Sequence, residues 1–222
     1  MKPYFEDVKD LLAQYDTLEF NPAKGEALLT GKGWKKGGDG VWQDPQGNRL
    51  QFEVLGFPWL SALGQVVSEQ LKKQGCDATH TMPPNGLDLI SKAEYATATY
   101  GHGGSIQDPY DTLRLYQSVT VAVLGLHLVN SAKWKNEQYD KIVDDVYSTP
   151  MDQKQKLLEL FHKAMAIWLP ELPDVQLVDN YHTIPLCTKY WTGWPSDEDN
   201  YINEASWHLT FQLVLNRLEP TQ

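Results

Sequence analysis

A chain of 222 residues is long enough to form one large domain or two small ones. Its hydrophobic content of 41% and charged content of 22% are ordinary for a globular protein. The formal net charge of −10 disfavours binding to nucleic acid or anionic lipid, which reward basic surfaces. No apolar run approaches the ~20 residues that a membrane span needs.

The first predicted element is a short amphipathic helix over residues 4–14. No apolar stretch follows Lys2, so this N-terminus lacks the hydrophobic segment of a signal peptide. Taken alone, that absence predicts a cytoplasmic protein.

Residues 21–55 predict a capped helix, a glycine-rich turn, a short polar loop and a strand. Asn21 is a favourable N-cap, and Pro22 occupies the first helical position, where its missing N–H costs nothing. Gly31 and Gly33 then indicate the helix end. Alternation of apolar and polar residues predicts a strand over 50–57.

Two more helices and two more strands are predicted to follow. They are a helix over 61–74 with Val66, Val67 and Leu71 on its apolar side, a strand over 76–82, a helix over 86–92 capped by Asn85, and a strand over 93–101. This alternation of strands and helices predicts an α/β fold, with a parallel or mixed sheet flanked by helices.

The second half of the chain predicts longer helices and further strands. These elements are an apolar strand or buried segment over 121–129, helices over 137–147 and 151–168, the second stopped by Pro170 and Pro173, one or two strands over 175–186, and a strand over 207–215. Periodicity alone does not decide between the two interpretations of 121–129.

The order of elements in residues 21–55 resembles one large family, the extracytoplasmic solute-binding proteins of ABC importers, in the oligopeptide/dipeptide-binding class. Members typically carry an N-P-x-K-A-x-x-L-L helix, then Gly-Trp, an acidic glycine-containing loop and a strand. Here Gly25 stands where the family usually has Ala. The resemblance covers most of the chain and implies one lobe of a type II periplasmic-binding-protein fold.

The resemblance also implies how the chain fits into a longer protein. Residues 1–222 would form a single C-terminal lobe, with the region from about 189 to 222 near the hinge. A signal peptide and a missing N-terminal lobe would lie upstream, which implies a periplasmic or extracytoplasmic location. The implied partners are that lobe and an ABC permease, for a monomer that needs no cofactor or metal.

Ligands of open α/β sheets bind beyond the carboxyl ends of the strands, and three loops of this sequence occupy such places. The first loop, residues 56–61, places Trp59 between a strand end and a helix start. Trp59 is therefore a candidate ligand contact. The alternative is that it packs on its own helix.

The second loop, residues 100–109, resembles the family's G-W-x-G-D-x-x-D-P loop. His102 then stands at the family's Trp, and Ser105 stands at the first Asp, which pairs with the peptide α-amino group in peptide-binding members. A hydroxyl cannot supply the charge-assisted bond that an ammonium group favours, so Ser105 indicates a neutral ligand. Tyr100, His102 and Ser105 are candidate contacts, although a lone His is more often only a satisfied polar residue.

The third loop, residues 189–207, is too long and too aromatic for a plain connector. It resembles the C-terminal part of the family's sugar-binding branch, which takes β-linked oligosaccharides such as cellobiose. The apolar face of a pyranose ring packs on indole, so Trp191 and Trp194 are candidate ligand contacts. The alternative is that they pack the loop onto the lobe.

Three functions remain open from the sequence: uptake of an oligosaccharide, uptake of an oligopeptide by the same scaffold, and a glycoside-active enzyme. The acidic run over 197–199 is the only feature that suggests the enzyme. Hydrolysis needs two carboxyl groups ~5–10 Å apart across a bond, whereas adjacent acids in a polar loop usually form a solvated turn. Calcium binding there lacks the EF-hand spacing. We therefore expect a binding protein without catalytic residues.

Two cysteines, Cys76 and Cys187, form no zinc or redox motif. A disulfide between them is possible. Two unlinked and largely buried thiols are the favoured prediction, because free Cys often behaves as a small hydrophobe.

Overall fold

The computed structural model describes residues 2–92, 94–101, 109–120, 130–178, 183–203, 205–206 and 210–221. It divides into two compact units, Met1–Val175 and Gln176–Gln222. The predicted apolar segment 121–129 lies outside the described residues. A single lobe over 1–222 stays a prediction.

The described residues form nine α-helices and seven strands. The helices are α1 (Lys2–Asp7), α2 (Lys9–Gln14), α3 (Pro22–Gly31), α4 (Ser61–Lys73), α5 (Gly86–Ser91), α6 (Tyr110–Leu113), α7 (Glu137–Ser148), α8 (Lys154–Glu171) and α9 (Phe211–Leu215). The strands are β1 (Lys35–Lys36), β2 (Trp42–Gln43), β3 (Gln51–Leu55), β4 (Asp77–Thr81), β5 (Thr97–Ala98), β6 (Trp191–Thr192) and β7 (Glu219–Pro220).

Helix α3 begins as the sequence predicts. The Asn21 side chain accepts a hydrogen bond of 2.9 Å from the Lys24 N–H, and Pro22 opens the helix. The helix includes Gly31, and the chain turns at Gly33, whose φ of +83° favours glycine. No residue of α3 is buried, so its stability depends on caps and propensity more than on packing.

A parallel sheet of three strands lies in the first unit, in the order β4-β3-β5. Val54 of β3 pairs with His80 of β4 on one side and with Thr97 of β5 on the other. This sheet confirms the predicted strand–helix–strand–helix–strand order, although β5 is much shorter than predicted. Two antiparallel pairs, β1–β2 and β6–β7, form separate two-stranded ribbons that the sequence did not predict.

Helix α4 packs on the sheet through small residues. Its buried residues are Gly64 and Ser68, while Val66 is 51% exposed, so the predicted apolar side is wrong at Val66. Small side chains let the helix backbone approach the strands closely, which overrides the apolar periodicity. Helix α5 follows Asn85, whose side chain makes no capping hydrogen bond.

The largest hydrophobic core lies among the helices of the first unit. Helices α1, α2, α7 and α8 contribute most of its buried side chains, which are Tyr4, Val8, Leu11, Leu113, Tyr139, Val143, Val146, Leu157, Leu160, Phe161, Ala164 and Leu169. The predicted helix over 4–14 is broken at Val8, yet Tyr4, Val8 and Leu11 still face this core.

Helix α8 runs through Pro170 and ends at Glu171, so the predicted end at residue 168 is wrong by three residues, as is the predicted start at 151. Proline removes one N–H from the last turn but leaves the earlier turns intact. Leu172 then adopts a left-handed φ of 42° and its N–H bonds to the Trp168 carbonyl at 2.8 Å.

The second unit differs most from the predicted elements. The described part of 207–215 is a helix, α9, in which only Val214 is buried, so the predicted strand is wrong there. An alternating sequence pattern indicates only that one side of the segment is buried. A strand also needs a neighbouring strand to pair its backbone N–H and C=O groups. Among the described residues of 175–186 there is likewise no strand.

Within the part of the chain that the structure describes, no helix is both long and apolar enough to cross a lipid bilayer.

Candidate functional site

An aromatic cluster of Phe57, Trp59 and Tyr100 lies beyond the carboxyl ends of β3 and β5. The rings of Phe57 and Trp59 stack, with centroids 5.1 Å apart and planes at 22°. Tyr100 meets Phe57 edge-on, at 5.3 Å and 61°. The structure therefore brings two predicted site residues, Trp59 and Tyr100, to one place through a third ring.

A short turn holds Trp59 away from the core. Pro58–Leu60 form one turn of 3-10 helix, closed by a 2.9 Å bond from the Leu60 N–H to the Phe57 carbonyl. Helix α4 starts immediately afterwards, at Ser61. Trp59 is 63% exposed as a result, and its indole lies against Phe57. This is the exposure that a ligand platform requires.

The buried side chain of Phe57 connects the aromatic cluster to the hydrophobic core. Its side chain is 3% exposed and packs in a small core with Leu55 and Ile90. A Cβ on Gly86 would come within 3.3 Å of the Phe57 ring, so the start of α5 also lies close to it. Phe57 was not among the predicted site residues, because the sequence places it at the end of the predicted strand over 50–57 and does not show its contacts with Trp59 and Tyr100.

The tyrosines around the cluster are uncharged near neutral pH. Burial raises the pKa of the Tyr100 phenol above its ordinary value. Burial also raises the pKa of Tyr95, whose hydroxyl donates to the Ser131 carbonyl. The surroundings of Trp59 therefore offer rings and neutral hydroxyls. His102 and Ser105, the other predicted contacts of this loop, lie outside the described residues.

The second unit carries the other two predicted site residues. Trp191 lies in β6, opposite Pro220 of β7, and is 43% exposed. Trp194 is half-buried, and its indole N–H donates to the Cys187 carbonyl at 3.2 Å. Trp191 thus presents a ring to solvent, whereas Trp194 fastens its own loop.

Two acidic residues of the run over 197–199 make ion-pair or hydrogen-bond contacts within the second unit. Asp199 pairs with the Arg217 guanidinium at 2.6 Å, and that guanidinium lies 4.0 Å from the Tyr201 ring centroid. The backbone N–H of Glu198, and then the Ser196 hydroxyl, lower the pKa of the Glu198 carboxyl. Among the described residues, no group of three or more His, Cys, Asp or Glu side chains is placed to hold a metal ion.

The two cysteines are free thiols. Cys76 is buried as predicted, but Cys187 is exposed, so the prediction of two buried thiols is wrong for Cys187. Cys187 precedes the exposed aromatic loop of the second unit, where few neighbours cover it.

No protein-family model matches this sequence, and no curated protein matches it either. Solved structures do match. One is the mannohexaose-bound periplasmic oligopeptide-binding protein of an ABC transporter from Thermotoga maritima. It is 21% identical with a TM-score of 0.74, over 96% of this chain and 41% of that one.

Two others share the fold over less of the chain. NikZ from Campylobacter jejuni, in complex with Ni(L-His), is 20% identical with a TM-score of 0.58, over 77% of this chain and 38% of that one. The oligopeptide-binding protein AppA from Bacillus subtilis, in complex with a nonapeptide, is 24% identical with a TM-score of 0.54, over 70% and 31%.

The chain has the fold of a periplasmic-binding-protein lobe. This confirms the predicted α/β class. The chain spans about two-fifths of the length of the Thermotoga maritima protein. Sequence identities of 20–24% show a shared fold, and the ligands named above are those of the three similar proteins.

Proposed function

We propose that this chain is part of a solute-binding protein of an ABC importer, and that it binds an oligosaccharide without chemical turnover. The observation that carries the proposal is the exposed indole of Trp59, stacked on buried Phe57 beyond the carboxyl end of β3. A binding-protein fold supplies the setting. A similar structure, from Thermotoga maritima, holds mannohexaose.

The chemistry of the cluster favours a neutral, ring-shaped ligand. The CH groups of a pyranose ring pack on the electron-rich face of an indole. The phenol of Tyr100 is protonated near neutral pH, as an ordinary tyrosine is, and burial raises its pKa further. Ser105 in place of an acid points the same way, because a hydroxyl offers an ammonium group no counter-charge. A β-linked glucoside such as cellobiose is our specific proposal.

An oligopeptide is the second candidate ligand. AppA from Bacillus subtilis shares the fold and binds a nonapeptide. An aromatic cluster also suits apolar peptide side chains, so geometry alone does not separate the two candidates. The peptide proposal requires a carboxylate for the peptide's α-amino group, and the two proposals differ at that point.

We propose further that the ligand is held between this chain and a second, N-terminal lobe, by hinge closure. The protein would act as a periplasmic monomer that delivers the ligand to a permease. Trp191 and Trp194 are additional proposed contacts from the second unit, and His102 and Ser105 from the loop after β5. A single lobe offers only part of the contacts, so we expect the isolated chain to bind weakly.

Saturation-transfer NMR of the 222-residue chain tests this proposal. Cellobiose, mannohexaose and a nonapeptide are added in turn, each with wild type and Trp59→Ala. We expect saturable transfer to a sugar that Trp59→Ala abolishes, and no hydrolysis products. The matched control is Phe20→Ala, which removes an aromatic ring that is 83% exposed but lies before α3.

Transfer to the nonapeptide alone would overturn the oligosaccharide proposal in favour of the peptide. Release of shorter sugars would support a glycoside-active enzyme instead. A micromolar or tighter dissociation constant for the isolated chain would contradict the need for a second lobe.

A further inference from the structure

We propose that Lys133 is a positioning residue for the aromatic cluster: it holds Tyr95, and through the short strand β5 it fixes the place of the Tyr100 ring. The value of this role to the protein rests on the proposed function, in which Tyr100 belongs to the ligand site. Lys133 is exposed and acts through Tyr95 rather than on the ligand.

The backbone of Lys133 adopts a conformation that residues with a side chain rarely take. Its φ is 57°, in the left-handed region that favours glycine. The turn is closed by a 3.1 Å hydrogen bond from the Lys133 N–H to the Asn130 carbonyl. Glycine would fit this turn at a lower conformational cost, so the turn alone does not account for a lysine at this position.

The buried side chain of Asn130 fixes this turn to the rest of the first unit. It is 1% exposed, and its amide group donates to the carbonyls of Tyr116 at 3.1 Å and Trp134 at 2.6 Å. Its side-chain oxygen accepts a bond of 3.2 Å from the Trp134 N–H. A buried polar group with several partners makes its surroundings rigid. Lys133 therefore extends from a well-anchored turn.

Two residues of the turn hold Tyr95. The Lys133 ammonium group donates to the Tyr95 carbonyl at 3.0 Å and lies 5.0 Å from the centroid of the Tyr95 ring. The face of an aromatic ring attracts a cation, so one ammonium group binds both the backbone and the side chain. The Tyr95 hydroxyl donates in turn to the Ser131 carbonyl. Tyr95 is thus held at its carbonyl, its ring and its hydroxyl.

Tyr95 begins the segment that carries Tyr100. Strand β5 follows it and pairs with β3 over only two residues. The Thr99 N–H then bonds to the Leu55 carbonyl at 2.9 Å. A strand of two residues is shorter than is usual and has few hydrogen bonds to define its place. The position of this segment therefore depends on how its ends are anchored, and Tyr95 anchors the first end.

The side chain of Tyr95 also reaches the packing beneath the aromatic cluster. Tyr95 and Tyr100 both pack against the small core that contains Phe57. Tyr100 meets Phe57 edge-on, with centroids 5.3 Å apart. Burial raises the pKa of the Tyr95 phenol, and the nearby Tyr100 phenol adds to the rise. Contacts therefore run without interruption from Lys133 through Tyr95 to Tyr100, and releasing Tyr95 should displace the Tyr100 ring.

Fluorine NMR of 3-fluorotyrosine-labelled protein tests the proposal without any ligand. The Tyr100 resonance is assigned with Tyr100→Phe and compared between wild type, Lys133→Met and Lys133→Arg. Lys133→Met keeps the length of the side chain and loses the ammonium group, so the Tyr100 resonance should be displaced by more than its linewidth. Lys133→Arg supplies a guanidinium that can donate to a carbonyl and lie over a ring, so it should restore the wild-type resonance.

Lys133→Gly separates this role from a merely structural one. Glycine favours the left-handed backbone, so the variant should fold with an unfolding midpoint close to that of wild type. The Tyr100 resonance should nevertheless be displaced, as in Lys133→Met. A lysine that served only to close the turn would leave Tyr100 unmoved in this variant.

Lys36→Met is the matched control. Lys36 lies 5.0 Å from the centroid of the Trp42 ring, in the β1–β2 ribbon, so the variant removes the same charge and the same kind of ring contact elsewhere. It should leave the Tyr100 resonance unchanged. A Tyr100 resonance that stays constant in folded Lys133→Met, or moves equally in Lys36→Met, would overturn the proposal. Because no sugar is present, a failure to bind sugar would count against the proposed function and leave this result standing.

Discussion

Trp59 lies over Phe57 with ring centroids 5.1 Å apart and ring planes at 22°, although the first side chain is 63% exposed and the second only 3%. The exposed ring therefore takes its orientation from a ring that belongs to the core. Such an arrangement presents a flat surface to a ligand without leaving it free to rotate.

This ring pair predicts that Phe57→Ala and Trp59→Ala lower the free energy of unfolding by different amounts. Phe57→Ala should lower the free energy of unfolding by about 3–5 kcal/mol, because a buried ring is lost and a cavity remains. Trp59→Ala should change it by less than about 1 kcal/mol, since most of the indole is already in water. Urea unfolding followed by far-UV circular dichroism measures both. Equal costs would mean that Trp59 is a core residue.

The His80 ring lies against Gly56 and Gly64, and this packing predicts a specific energetic coupling between His80 and Gly64. Gly64→Ala alone should destabilise the protein, because its Cβ would lie 2.5 Å from the His80 ring. In a His80→Ala background the same substitution should cost much less, since only the 3.1 Å approach to the Thr99 hydroxyl remains and Ala favours helix over Gly by about 1 kcal/mol. A double-mutant cycle of unfolding free energies gives the coupling. Additive effects of the two substitutions would contradict the packing described here.

Replacing either of two glycines in α3 by alanine is predicted to stabilise the folded protein. A Cβ at Gly25 or Gly31 would meet no atom within 4 Å. Gly25→Ala and Gly31→Ala should therefore each raise the free energy of unfolding by about 0.5–1 kcal/mol. Gly33→Ala is the matched control and should lower it, because φ is +83° there. Thermal unfolding midpoints in the opposite order would show that α3 is not helical in solution.

The different exposure of Cys76 and Cys187 predicts that a thiol reagent reacts with the protein in two phases. Burial raises the pKa of the Cys76 thiol above its ordinary value, whereas Cys187 is exposed. Because the thiolate is the reactive form, a thiol reagent at pH 8 should modify Cys187 quickly and Cys76 slowly. Peptide mapping identifies the modified residue, and Cys187→Ser should remove the fast phase. Fast labelling of Cys76 would indicate that β4 opens readily.

The part of the fold that the sequence predicted best is the alternation from β3 to β5. Its strands and helices are separated by strong local signals, such as Pro58 after β3 and Gly75 after α4. Predictions from local sequence signals were wrong where packing against a neighbouring element determines which residues are buried. Val66 fits the helical period but is exposed, since the close approach of α4 to the sheet uses Gly64 instead.

The candidate site was predicted only in part for a similar reason. Trp59 and Tyr100 follow strands, and strand ends are readable from a sequence. Phe57 joins them through ring contacts with residues that follow two different strands, and no local sequence pattern reveals such contacts. The predicted strand over 207–215 failed because alternation alone does not provide a neighbouring strand.

A crystal structure of the chain grown with mannohexaose tests the central claim most directly. We predict a pyranose ring stacked on the indole of Trp59, at about 4 Å, the ordinary separation of carbon atoms in contact. The same crystals grown with a nonapeptide should leave Trp59 uncovered. A peptide on Trp59, or a sugar bound elsewhere while Trp59 stays exposed to solvent, would contradict the account.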